Sequence, residues 1–140
     1  MNSRIIIDNL KITKEYLDNL LSKKSLDDLK NIFFEMNGKK YSLNNISILN
    51  KFKKKYLNLK PYPYLVISNC LEKEVYNHLD NFYPSDDFIY NNDTHKTEKK
   101  YQNYRYQLNC LNAISNEKID PIWKLFIYYH SSHLFFKELI

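Results

Sequence analysis

A single glycine in 140 residues is the feature that most narrows what this chain can fold into. Tight β-turns repeatedly need positive φ, which glycine adopts freely, so an all-β barrel closed within these residues is disfavoured. The length allows one domain with a modest core, and not comfortably two. A hydrophobic fraction of 44% and a charged fraction of 26% are ordinary for a globular chain, so a packed core is expected.

The chain is organised around Pro61-Tyr62-Pro63-Tyr64-Leu65-Val66-Ile67-Ser68-Asn69-Cys70-Leu71. Two prolines favour extended backbone, and the branched and aromatic residues after them predict a strand over 64–67. Asn69 is a candidate cap for a helix beginning near Leu71, where Glu72 and Glu74 suit the positive first turn. The resulting expectation is an α+β chain, mostly helical with a few strands. Residues 1–59 read as a helical lead-in, and 60–140 as a mixed region that does not finish.

Within the lead-in, Thr13 caps a predicted helix with Tyr16, Leu17, Leu20 and Leu21 on one face. Ser25 to Met36 restarts the pattern, with Leu26, Leu29, Ile32, Phe33 and Met36 fitting a 3.6-residue period. Asn37-Gly38 either stops that helix or turns a hairpin between 32–36 and 40–43, and the period favours the helix. A third helix is predicted over 45–57, which makes Lys51, Lys53, Lys54 and Lys55 the solvated side of an amphipathic element.

Beyond residue 60, Val75, Leu79 and Phe82 predict a helix ending before Pro84, followed by a turn over 84–87 and a surface loop over 90–101. Alternation predicts a strand over 104–108. Asp120-Pro121 is a cap followed by proline at the first helical position. Ser131-Ser132 interrupts that helix and caps a last one, which carries no stop signal before Ile140.

The net charge is +5, yet only Arg4 and Arg105 among the 21 basic residues offer a planar fork for phosphate or guanine. The lysine-rich, asparagine-rich composition is that of an A/T-rich coding sequence, and a nucleic-acid partner is disfavoured. Two isolated cysteines supply neither a disulfide framework nor a zinc cluster, and reduced thiols point to the cytoplasm. Ile5-Ile6-Ile7 is far short of the ~20 apolar residues of a membrane span, so no membrane partner is expected.

No catalytic, cofactor-binding or metal-ligating residue is assigned. His78-Leu79-Asp80 spells H-x-D, but helical residues two apart stand about 200° apart around the axis and cannot share a metal, which leaves His78 as a surface histidine. His130 and His133 are separated by a helix break, and a helix-end role suits His130. Arg105, flanked by Tyr104 and near Gln107, is the one candidate ligand contact, for a carboxylate or phosphate.

The pieces after residue 60 resemble, in order and spacing, the N-terminal part of the 2-oxoglutarate/Fe(II)-dependent oxygenases, in their prolyl-hydroxylase-like branch. The matching text is Pro61–Ile67 with Asn69 and Leu71, then Phe82-Tyr83-Pro84-Ser85 and Arg105-Tyr106-Gln107-Leu108. Ile119-Asp120-Pro121-Ile122-Trp123-Lys124, Tyr129-His130-Ser131-Ser132 and Phe135-Phe136 complete it, over about 80 of the 140 residues. The resemblance implies the start of a double-stranded β-helix with flanking helices, and Fe(II) and 2-oxoglutarate as cofactors of a complete protein. It also implies that the iron ligands and the 2-oxoglutarate-binding base follow Ile140, so that this chain alone binds no cofactor and is inactive. Its partner would then be that C-terminal half or another protein. The alternatives are a small helical interaction module and, third, a basic nucleic-acid binder.

Overall fold

The Asn37-Gly38 pair decides the first half of the molecule. In a computed structural model, which describes residues 4–93 and 108–140, both residues have positive φ, +53° and +77°. Two left-handed residues in succession make the turn whose twist matches paired strands, so the chain folds back as a hairpin. Strand β2 (Ile32–Met36) precedes the turn and β3 (Lys39–Ser42) follows it, in register from Phe33 opposite Ser42 to Met36 opposite Lys39. The helix expected over 25–36 is therefore replaced by a 3-10 turn at Asp27–Asn31 and a strand. Ile32, Phe34 and Met36 are buried while Glu35 is exposed, a two-residue period hidden inside spacings that also fit a helix.

Strand β1 (Ile5–Ile6) lies parallel to β2, with Ile5 opposite Ile32. Parallel pairing needs a crossover, and helix α1 (Lys14–Leu21) lies within it. Thr13 Oγ1 accepts from the Tyr16 amide at 3.0 Å, as the sequence predicts, and α1 buries Leu17 and Leu21. The segment expected to be a helical lead-in thus carries a three-stranded sheet ordered β1-β2-β3 and one α-helix.

The helix expected over 45–57 is also absent. A 3-10 turn covers Leu43–Ile46 and another Lys54–Tyr56, and β4 (Leu57–Asn58) follows. Ser47 Oγ accepts from the Leu49 amide at 3.1 Å, one of the local side-chain bonds that compete with a helix. Four lysines crowded into five positions add like-charge repulsion. Strand β5 is shorter than expected, Tyr64–Leu65, and pairs antiparallel with β4.

Helix α2 (Lys73–Asn81) starts with Glu72 as its cap residue, two residues later than expected. Asn69 instead takes a left-handed turn at φ +53°. The predicted turn at 84–87 is the start of α3 (Asp86–Asn92), capped by Ser85. The loop over 90–101 therefore begins as the end of α3, and the rest of it beyond Asp93 lies outside the described residues. So does the strand expected over 104–108, except Leu108, which is in neither helix nor strand. Helices α4 (Cys110–Ser115), α5 (Pro121–His130) and α6 (His133–Leu139) complete the chain, α5 and α6 starting where Asp120-Pro121 and Ser132 place them.

The molecule is a mixed α/β structure with six α-helices and few, short strands among the described residues. One core joins both sides of position 60: Leu17, Phe34 and Leu43 pack in the same cluster as Val75, Leu125 and Tyr129. Among the described residues no helix is long and apolar enough to cross a membrane.

Candidate functional site

Two helices with good local signals meet where chemistry is concentrated. The α2 face that buries Val75 and Leu79 carries His78 toward the start of α5. There Asp120 Oδ1 accepts from the Ile122 amide at 3.0 Å and the Trp123 amide at 3.3 Å, closing the free end of the helix. The same oxygen lies 2.9 Å from His78 Nε2, and the two side chains are only 10% and 13% exposed. A carboxylate accepts, so Nε2 carries the proton and Nδ1 is left as a lone-pair acceptor while the ring is neutral. Nδ1 is buried with no partner among the described residues, and Phe82 stacks on the ring at 4.5 Å.

His78 is therefore neither the surface histidine expected from sequence nor half of a metal pair with Asp80. Its outer nitrogen is spent on α5, while Asp80 is exposed. Two of the three parts of a hydrogen-bonded general base are present, imidazole and orienting carboxylate.

Beside His78 lies a groove of about 370 Å³ lined by Asn37, Lys39, Tyr41, Glu74, Asn77 and Asn81. The Tyr41 hydroxyl donates to Glu74, and Lys39 Nζ lies 3.3 Å from the same carboxylate. The bond to Glu74 raises the Tyr41 pKa to about 12, and the Tyr41 and Lys39 bonds hold Glu74 below its ordinary value. Tyr41 is thus a neutral donor and Lys39 a compensated cation, so the groove offers hydrogen bonds without a strong net field.

A second histidine has both nitrogens engaged. His130 Nδ1 lies 2.8 Å from the Phe126 carbonyl, and Nε2 accepts from the Ile48 amide at 3.2 Å. Those partners fix the neutral tautomer with the proton on Nδ1, and burial lowers the pKa. Beside it, Glu138 accepts from the buried Tyr129 hydroxyl and from Ser47 Oγ at 3.1 Å. His133 is exposed at the start of α6. The end carbonyls of α5 are met by Ser131 Oγ, 2.9 Å from the Ile127 oxygen, and Ser132 Oγ, 2.6 Å from the Tyr129 oxygen. His130 stays on Phe126 within the helix, not in the helix-end role read for it.

Arg105, Tyr104 and Gln107 lie outside the described residues. Cys70 and Cys110 are free, and Cys110 Sγ lies 3.3 Å from Ser131 Oγ. Among the described residues no group of three His, Cys, Asp or Glu side chains is placed to hold a metal ion. Sequence reasoning saw His78 and Asp120 separately but missed their pairing, because 42 residues separate them and no local pattern links the two. Comparison with family models, curated proteins and solved structures gives no match to this chain.

Proposed function

We propose that this chain is the N-terminal region of a 2-oxoglutarate/Fe(II)-dependent oxygenase-like protein, supplying its flanking helices and not its iron centre. One observation supports the reading beyond the linear resemblance: three of the resembling pieces pack in one unit, while Pro61–Ile67 stands outside it. The three are the helix ending Phe82-Tyr83, the stretch with Trp123 and the last stretch with Tyr129 and Phe135. Trp123 Nε1 donates to the Leu79 carbonyl at 2.7 Å, and the Tyr83 ring meets Trp123 edge-on at 5.5 Å. Tyr129 and Phe135 meet at 6.1 Å. Those three pieces, matched only by order along the chain, thus lie in one packed unit of α2, α5 and α6.

The described residues do not fit the iron of that family. His78 is committed to Asp120, and its H-x-D neighbour Asp80 is solvent-facing on the same helix. In this reading the metal ligands and the base that holds 2-oxoglutarate follow Ile140. The two free cysteines suit a cytoplasmic setting.

Sequencing the coding region past the codon for Ile140, in all three frames, tests the assignment. An H-x-D followed by a distal histidine and a basic residue is expected, and their absence from every frame overturns it. The purified chain is expected to form no succinate from 2-oxoglutarate with Fe(II). Turnover would place the iron centre within these residues and overturn the division of roles.

A further inference from the structure

Between Ile46 and Val75 no side chain is a buried member of the hydrophobic core, and Leu71 alone is partly buried against it. This excursion includes the β4–β5 hairpin, yet it is not polar. Phe52, Leu57, Leu59, Tyr62, Tyr64 and Val66 are all exposed, Leu59 and Tyr62 by about two-thirds. Tyr62, Tyr64 and Val66 occupy alternate positions along the chain through β5, and the two tyrosine rings meet at 6.0 Å. The same stretch is purely basic. From residue 36 to residue 71 there is no Asp or Glu, while Lys53, Lys54, Lys55 and Lys60 stand exposed beside the apolar residues. With no helix over 45–57, these lysines are not the outer face of an element whose apolar side is turned inward.

We infer that the 52–66 surface docks on an anionic lipid bilayer, lysines on the headgroups and Leu59, Tyr62 and Val66 in the interface. Three features select this occupant. Exposed aliphatic side chains gain from an apolar interior, which a nucleic-acid backbone does not offer. Tyrosine is suited to the headgroup boundary, with an apolar ring and a polar tip. Lysine is a flexible point charge that suits a diffuse anionic surface, where a folded acidic protein would favour the fixed fork of arginine. The expectation of no membrane partner rested on the absence of a spanning segment, and peripheral docking needs none. The inference stands apart from the proposed oxygenase relationship.

The test is sedimentation of the full chain with vesicles of phosphatidylcholine alone and with one-third phosphatidylserine. Binding to the anionic vesicles is expected, weakened at least about tenfold on the neutral ones and by high salt. A Lys53→Glu, Lys54→Glu, Lys55→Glu triple variant and a Leu59→Ser, Tyr62→Ser double variant are each expected to lose about tenfold, with unchanged circular dichroism. A variant that fails to fold leaves the neutral-lipid and salt comparisons on the unaltered chain to decide. Absence of binding to anionic vesicles, equal binding to both vesicles, or binding indifferent to both folded variants overturns the inference. Tighter binding to a single-stranded oligonucleotide than to anionic vesicles overturns it as well.

Discussion

His130 shows how one side chain can make stability depend on pH. Its folded pKa lies below the ordinary 6.5 because burial penalises the imidazolium, and a proton on Nε2 would also break the bond from the Ile48 amide. The unfolded chain therefore takes up that proton first. Stability is full above about pH 6.5, falls as the pH drops below it, and goes on falling until the folded-state pKa is passed. Glu138, the acid facing this region, opposes the shift without reversing its direction. Asp18, Asp28 and Glu74 have folded pKa values below their ordinary 3.8, 3.8 and 4.5, so their losses come at lower pH. Urea midpoints are expected to fall between about pH 7.5 and about pH 5.5, and to fall less in a His130→Gln variant. An equal fall in both proteins would show that other groups set the dependence.

At the scale of elements, Asp120 is where the helices are most exposed to one substitution. Its Oδ1 caps α5 and meets His78 of α2. Asp120→Ala is expected to destabilise by about 2 kcal/mol or more, a full cap loss plus a buried imidazole left unpaired. Asp120→Asn, which keeps the accepting oxygen, is expected to lose much less, and chemical denaturation reads the difference. These helices were legible in sequence because their signals are local: Thr13, Asp120-Pro121 and Ser132 each sit within three residues of the amides they serve. The β2 strand was not, because Ile32 and Met36 stand four apart and satisfy both periods, while Phe33 fits only the helix and the buried Phe34 only the strand. Only the turn conformation of Asn37 and Gly38 separates the two. The His78–Asp120 contact was not legible either, since it depends on how α2 docks on α5.

For the whole molecule, a core shared by β2, α1, α2 and α5 predicts one cooperative transition. Trp123, the one tryptophan, reports on α5, whereas far-ultraviolet circular dichroism reports on every helix. The two signals are expected to share a midpoint. Leu17→Ala, at the other end of the chain, should lower both together by about 2–5 kcal/mol. Two separated transitions would divide the molecule near position 60. The closing bond also sets a condition on how the protein is made. Tyr128 of α5 donates to Asp18 of α1 at 2.6 Å across 110 residues. At about 5–20 residues per second, a ribosome takes roughly 5 to 20 s to travel from the first to the second. For that interval the Leu17 and Leu21 side of the first helix waits without α5, and that is when a chaperone has most to shield.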